Sequence, residues 1–213
     1  MAKRLFDIVL SLILLILFSP LIVILFILIK VDSEGPGFYR GLRVGPGGKP
    51  FRMMKFRTMI PDADKVGGPS TSNDDPRLTR VGNFLRRYKL DEFPQLINVL
   101  KGEMSFVGPR PEVPSEVARY TEEERKLLTV RPGITDYASL TYHNEGEILE
   151  GAEDPHETYR RLIRPGKMKL GLRYVREQSF RTDMKILTMT LMTLLGSRLK
   201  IGGGETDEEE KTA

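Results

Sequence analysis

The sequence predicts an α+β chain, mostly α, whose N-terminal helix resides in a membrane. Three observations carry that prediction. Residues Ile8–Ile29 run for 22 positions without a charge. Residues 38–59 place two β-capable arms around a Gly/Pro turn, the signature of a small β-hairpin. Past residue 80, apolar residues recur at helical spacing, as in Leu90, Phe93, Ile97 and Leu100.

As a helix, the uncharged run would be about 33 Å long at ~1.5 Å per residue, enough to cross a hydrocarbon core. It is too long for a signal-peptide core, and no small-residue cleavage site follows it. Ser19-Pro20 falls near its middle. Proline there removes a backbone hydrogen bond and kinks the helix, and the Ser19 hydroxyl can bond a carbonyl near the break. Lys3 and Arg4 precede the run, and Lys30, Arg40 and Arg43 follow it. Basic flanks favour the cytoplasmic side, so a straight crossing satisfies only one of them. A helix that bends at Ser19-Pro20 and returns satisfies both; a kinked single-pass anchor is the alternative.

After the hairpin, with its turn at Gly45–Pro50, residues 61–76 (PDADKVGGPSTSNDDP) read as a polar loop. Two helices are expected around Gly82–Tyr88 and Leu90–Leu100, the second ended by Gly102. Residues 112–130 read as a further helix with an acidic face at residues 122–124, and RPGIT (131–135) as a turn. Residues 153–178 read as one or two helices interrupted at Arg164-Pro165-Gly166. Thr182-Asp183 can cap a final amphipathic helix that ends at Gly196 and lies on a membrane surface. The tail, IGGGETDEEEKTA, reads as disordered and acidic.

The charge distribution points to an anionic ligand. From Val31 to Arg110 there are 14 Lys and Arg against 9 Asp and Glu, although the whole chain is only +4. A basic body suits phosphates, whether ligand, lipid headgroup or nucleic acid. The chain has no cysteine, which excludes disulfides, thiolate metal sites and a cysteine nucleophile. His143 and His156 are the only histidines, and neither has triad-like or zinc-like neighbours. GPGGK lacks the spacing of a phosphate-binding glycine loop.

Four elements could act together. Asp91-Glu92 sits near an expected helix start, with Pro94 in its first turn, where backbone N–H groups favour anions. Arg110 lies between two prolines in GPRP, a rigid setting for gripping phosphate oxygens. Lys55 and Arg57 alternate in KFRTM and would share a strand face. Arg131 stands beside Pro132 and Gly133. Taken singly, each is more often solvated surface charge. Together they suit a carboxylate nucleophile acting on a phosphoanhydride, with Mg²⁺ held by one or two carboxylates plus phosphates.

The ordered segments KRLFDIVLSLILLILFSPLIVILFILIKVDSEGPGFYRGLRVG, KPFRMMKFRTM, DPRLTRVGNFLRRYKLDEFPQLINVLKGEMSFVGPRPE and VRPGIT resemble the bacterial monotopic phosphoglycosyl transferases. The resemblance covers about Lys3 to about Leu195 and is limited to that family's catalytic core. It implies transfer of a sugar-1-phosphate from a UDP-sugar donor to a polyprenol phosphate acceptor, with loss of UMP. It implies Asp91 as nucleophile through a covalent sugar-phosphoryl-aspartate, and Glu92 as its partner, the two holding Mg²⁺. It implies phosphate or nucleotide binding by Arg110, Lys55, Arg57 and Arg131. Ser19-Pro20 matches the break of the family's re-entrant helix.

The expected organisation is therefore a re-entrant membrane helix (1–32), a catalytic domain (33–200) and an acidic tail (201–213). The expected setting is the cytoplasmic face of the bacterial inner membrane, with the lipid bilayer as a partner, no nucleic acid, and a homodimer left open. The class alternative is a non-catalytic, membrane-anchored binding module. Two departures stand out: Lys89 where many relatives have Ser or Thr, and DYASLTYHNEGEIL after PGIT.

Overall fold

The computed structural model describes residues 2–66, 68 and 70–195. It is mostly helical with a small antiparallel two-stranded sheet, as the sequence predicts. Helix α1 (Ala2–Asp32) contains Pro20 and bends by 62° between Ala2–Leu17 and Ser19–Asp32. The Ser19 hydroxyl donates to the Ile16 carbonyl at 2.8 Å, one turn before the break. Among the described residues no single helix is long and apolar enough to cross a membrane, but this bent pair passes by length and composition. Around the bend, Leu12, Ile13, Ile16, Leu17, Val23 and Ile24 are all exposed.

Both ends of α1 are fastened to the same globular body. At the N-terminal end, Lys3 Nζ contacts Asp183 at 2.6 Å and donates to the Val107 carbonyl at 3.0 Å. Arg4 donates to the carbonyls of Val99 and Leu100, at 2.6 and 2.8 Å. At the other end, Arg57 Nη2 donates to the Ser33 carbonyl at 2.7 Å and the Ser33 hydroxyl at 2.9 Å, while Nη1 donates to the Glu34 carbonyl. Of these carbonyls, that of Leu100 is one that a helix end leaves without an intrahelical partner.

Strands β1 (Phe38–Val44) and β2 (Pro50–Phe56) pair antiparallel, from Phe38 opposite Phe56 to Val44 opposite Pro50. The turn passes through Gly47 and Gly48 at φ 64° and 77°, a region that glycine occupies without steric penalty. Helix α2 (Arg80–Arg87) is capped by the Thr79 hydroxyl, which accepts from Gly82 N. The second expected helix is shorter than the apolar spacing suggested. Leu90–Glu92 form a 3₁₀ turn, and α3 (Gln95–Lys101) begins only after Pro94 and ends at Gly102, φ 86°. Buried Asn98 stitches α3 to the hairpin: its Oδ1 accepts from Met54 N at 2.9 Å, and its Nδ2 donates to the Arg52 carbonyl at 2.9 Å.

A parallel pair absent from the sequence reading follows. Strand β3 (Ser105–Val107) lies beside β4 (Gly133–Thr135). Their backbones approach so closely that a Cβ at Gly133 would stand 2.1 Å from Gly108 N. The expected 112–130 helix is instead a single turn, Pro114–Val117, and a 3₁₀ segment, Glu124–Thr129. Thr121 and Glu124 form a reciprocal cap that restarts the chain there, with Thr121 N donating to Glu124 Oε2 at 2.8 Å and Glu124 N to Thr121 Oγ1 at 3.2 Å.

Helix α4 (Tyr137–Thr141) is capped by Asp136. The interruption expected at Arg164 lies one step earlier, as a π-turn over Tyr159–Ile163, so that Pro165 falls in the first turn of α5 (Arg164–Glu177). The final helix, α6 (Phe180–Leu194), is capped by Ser179 rather than by Thr182-Asp183. Asp183 is drawn inward instead, accepting from Tyr174 Oη at 2.7 Å and pairing with Lys3. The expected stop at Gly196 and the acidic tail lie outside the described residues.

Replacing Asn98 with alanine strands the Met54 N–H and the Arg52 carbonyl in the interior. The expected loss is about 2–3 kcal/mol, read as a fall of the thermal midpoint by about 5 °C or more in detergent solution.

Candidate active site

The site begins with the 3₁₀ turn. Tyr88 closes α2, and Lys89 then adopts a left-handed φ of 55° with no side-chain cap, which turns the chain sharply into Leu90–Glu92. Leu90 and Phe93 anchor this turn in the cluster formed with the second half of α1. Phe93 also packs on Phe18 at the bend, with ring centroids 5.0 Å apart. The acidic pair is thus seated directly beside the break in α1.

Three remote stretches converge there. Lys55, next to last in β2, places Nζ 2.7 Å from Glu92 Oε1 and 3.6 Å from Asp91 Oδ2. Arg110, in the loop after β3, places Nη2 2.5 Å from the same Glu92 oxygen. The Asp91 side chain keeps about 10% exposure and is held in no hydrogen bond among the described residues. Arg86 on α2 donates to the Thr71 carbonyl at 3.2 Å, and its charge also acts on Asp91.

The two acids are electrostatically distinct. Burial opposes ionisation of Glu92, but the charges of Arg110 and Lys55 and their hydrogen bonds outweigh it and hold Glu92 well below the usual carboxylate range. Burial pushes Asp91 up, and the neighbouring Glu92 charge adds to this, against the pull of Lys55. Arg110 is held strongly protonated by Glu92. Asp91 is therefore a largely buried carboxylate held in no hydrogen bond among the described residues, and Glu92 is a fixed anion that orients two cations.

Of the six charged residues singled out in sequence, Asp91, Glu92, Lys55 and Arg110 come together. Arg57 and Arg131 do not. Strand β2 ends at Phe56, so the alternation that would put Arg57 beside Lys55 stops before it. Its guanidinium turns back to cap the C-terminal end of α1. Arg131 Nε donates to the Gly102 carbonyl at 3.1 Å, at the opposite end of α3 from the acidic turn. Arg86 is missed in the sequence because which of Arg80, Arg86 and Arg87 faces the acids depends on the rotation of α2.

His156 Nδ1 lies 2.9 Å from the Ser70 hydroxyl, and its Nε2 lies 3.6 Å from Glu116, a structural role. Among the described residues no group of three or more Asp, Glu, His or Cys forms a protein-only metal cage. The Asp91–Glu92 pair fits the other mode of Mg²⁺ binding, in which one or two carboxylates share the ion with substrate phosphates. Asp91, whose oxygens make no hydrogen bond among the described residues and meet Lys55 only at 3.6 Å, and Oε2 of Glu92 are the available ligands.

The family described as bacterial sugar transferase matches residues 1–197. The UDP-glucose:undecaprenyl-phosphate glucose-1-phosphate transferase of Escherichia coli (strain K12) is 40% identical over 198 residues, covering 89% of this chain and 39% of that protein. The undecaprenyl-phosphate glucose phosphotransferase of Komagataeibacter xylinus is 37% identical, covering 92% of this chain and 36% of that protein. A putative undecaprenyl-phosphate N-acetylgalactosaminyl 1-phosphate transferase of Bacillus subtilis (strain 168) is 48% identical over 145 residues, covering 68% of this chain and 80% of that protein. The chain thus spans less than two-fifths of the length of the first two relatives.

The electrostatic division of the pair can be measured by ¹³C NMR titration of the side-chain carboxyls. Asp91 is expected to titrate above an ordinary aspartate and Glu92 below an ordinary glutamate. In Lys55→Met the cation that lowers Asp91 is gone, so its midpoint moves further up.

Proposed function

This chain belongs to the bacterial sugar transferase family, and we propose that it transfers a sugar-1-phosphate from a UDP-sugar to a membrane polyprenol phosphate, releasing UMP. The observation that carries this reading is the convergence of Lys55, Asp91, Glu92 and Arg110 around one partly open carboxylate. Two cations already organised by Glu92 can accept diphosphate oxygens without having to be gathered, which is how preorganised charge lowers a barrier.

In the first step an Asp91 carboxylate oxygen attacks the β-phosphorus. The new P–O bond forms as the phosphoanhydride bond to the α-phosphate breaks, and its electron pair leaves with UMP. Arg110 and Lys55 hold the developing negative charge. In the second step a phosphate oxygen of the polyprenol phosphate attacks the same phosphorus. The P–O bond to Asp91 breaks, the carboxylate is restored, and a polyprenyl-diphospho-sugar results. Mg²⁺ bound by Asp91 and Glu92 would supply further neutralisation of the donor's diphosphate. The first step needs Asp91 ionised, so turnover falls as pH drops through its raised pKa.

We assign α1 a re-entrant position in the cytoplasmic face of the bacterial inner membrane. The support is that Lys3 and Arg4 at one end, and the residues gripped by Arg57 at the other, are tied to the same globular body. The exposed apolar side chains at the bend would enter the bilayer, and exposed Leu191, Met192 and Leu194 on α6 would rest at the interface. The acidic turn beside Phe18 then lies where a lipid phosphate resides.

Asp91→Asn is expected to cut UMP release by at least about a thousandfold while leaving membrane association and the thermal midpoint intact. Wild-type protein given donor without acceptor should gain the mass of one sugar phosphate on Asp91. Unchanged turnover in the variant removes the covalent mechanism, and salt-sensitive anion binding indifferent to Asp91 would favour a binding module. For topology, single cysteines in Ala2→Cys and Glu34→Cys are expected to react with a membrane-impermeant maleimide from the same side of sealed vesicles. Labelling from opposite sides would mean a straight crossing.

A further inference from the structure

Neither the fold nor the proposed chemistry uses the side chain of Gln95, the residue that opens α3. Gln95 is fully buried, at 0% exposure. Both ends of its amide, Nε2 and Oε1, are shut off from solvent, and neither has a hydrogen-bond partner among the described residues. A buried polar group left unmet is costly. In a folded protein it calls for a reason, such as strain, an unseen water or a part in catalysis.

The course of the backbone narrows the reason. After the 3₁₀ turn of Leu90–Glu92, Phe93 (φ −51°, ψ −40°) and Pro94 (φ −63°, ψ −15°) keep right-handed helical dihedrals, and α3 follows. The chain therefore winds on from Asp91 without reversing, and Gln95 stands one turn beyond it. Long side chains on such a winding lean back over the preceding turn. An Asp and a Gln at i and i+4 are within reach of a hydrogen bond.

The other polar neighbours along the winding are already occupied. Asn98, one turn further on, is engaged at both ends of its amide: Oδ1 accepts from Met54 N, and Nδ2 donates to the Arg52 carbonyl and to Glu103. Glu92 takes Lys55 and Arg110. Asp91 takes part in no hydrogen bond among the described residues and meets Lys55 only at 3.6 Å. Two groups that lack a partner thus stand one turn apart, one able to donate and the other able only to accept when ionised.

Positive charge on Lys55, Arg86, Lys89 and Arg110, and negative charge on Glu92, act on Asp91. Charge attracts from many directions and leaves a carboxylate free to rotate. A hydrogen bond is directional and selects one rotation. A carboxylate held by one oxygen presents the other to the phosphorus, and precise presentation is what an attacking group needs. After attack, the held oxygen is the carbonyl of the acyl phosphate, which still accepts the same N–H.

We propose that Gln95 is the positioning residue of the nucleophile, its amide N–H donating to the Asp91 carboxylate in the reacting arrangement. This rests on the transferase reading above and adds the group that aims the attacking oxygen.

The test uses Gln95→Met, which keeps the length of the side chain and removes both polar atoms, and Gln95→Leu as a second apolar replacement. Each is compared with wild type in nanodiscs by single-turnover UMP release without acceptor, and by thermal midpoint. The donor is whichever of UDP-glucose, UDP-galactose, UDP-N-acetylglucosamine and UDP-N-acetylgalactosamine wild type uses fastest. The maximal rate is expected to fall by at least about tenfold. The half-saturating donor concentration should stay within about twofold of wild type, because the cations that grip the diphosphate are untouched. The thermal midpoint should stay within about 5 °C of wild type or rise, because an apolar side chain of similar shape leaves no polar group unmet.

A larger fall of the midpoint in both variants means that the amide serves the fold, and the assignment falls. If only one variant is destabilised, the other decides by the same criteria. An unchanged maximal rate overturns the assignment, as does a half-saturating concentration that rises as much as the rate falls. A wild-type chain that releases UMP from none of these donors overturns the transferase reading, and this inference with it. Wild-type release with unaltered variants overturns this inference alone.

Discussion

One carboxylate oxygen, Glu92 Oε1, holds the site together, because Lys55 and Arg110 both close on it. Burying a carboxylate is costly unless it is paired and hydrogen-bonded. Here two cations from different elements meet that requirement, and each is fixed by doing so. The consequence falls on the neighbour. With Lys55 and Arg110 committed first to Glu92, Asp91 lies near positive charge, 3.6 Å from Lys55, yet is hydrogen-bonded to none of it among the described residues. A carboxylate whose lone pairs were already consumed would be a poor nucleophile and a poor metal ligand.

The rest of the fold serves to bring those three stretches within reach. Lys55 arrives because Asn98 fixes β2 to α3 through two backbone groups of the hairpin. Arg110 arrives because β3 is pinned to β4, with Gly108 and Gly133 in backbone contact that no Cβ would allow. The acidic turn is aimed by the left-handed Lys89 and by apolar anchoring of Leu90 and Phe93 against α1. Lys3 and Asp7 reach β3 from below. Lys3 donates to the Val107 carbonyl, and Asp7 accepts from Phe106 N at 3.3 Å, so α1 also braces the strand that carries Arg110 into place.

What was legible in the sequence divides along physical lines. The bent helix, the hairpin, the Gly102 stop and four of the six charged site residues each left a local mark: an uncharged run with a central Pro, a Gly/Pro turn, or a charge beside a rigid residue. Strand alternation puts i and i+2 on one face, which pairs Lys55 with Arg57 in the sequence. That rule holds only while the strand lasts, and it ends between them. Arg131 looked like Arg110 because both stand beside proline, but neighbouring residues do not reveal which helix end lies across the fold. The β3–β4 pair joins three-residue strands far apart in sequence, too short to leave any periodicity. Arg86 needed the rotation of α2. These failures share a cause: each concerned where an element ends or what lies opposite it, and neither is a property of local spacing.

Under the re-entrant placement proposed above, the bend in α1 links membrane position to chemistry. A straight helix of this length would separate its two ends by a bilayer, and only one of them could then touch the catalytic body. The 62° bend lets both ends bind it, so α1 forms a wedge whose apex is apolar and exposed. In that placement the depth of the wedge would also set the depth of the site, because Phe18 at the apex side packs on Phe93, the residue after Glu92. An acceptor whose phosphate is confined to the interface and whose tail is confined to the hydrocarbon can approach such a site without leaving the membrane. On this view Pro20 is more than a tolerated irregularity in an anchor. It is the feature that allows one helix to hold the lipid layer and the Asp91–Glu92 turn at matching heights.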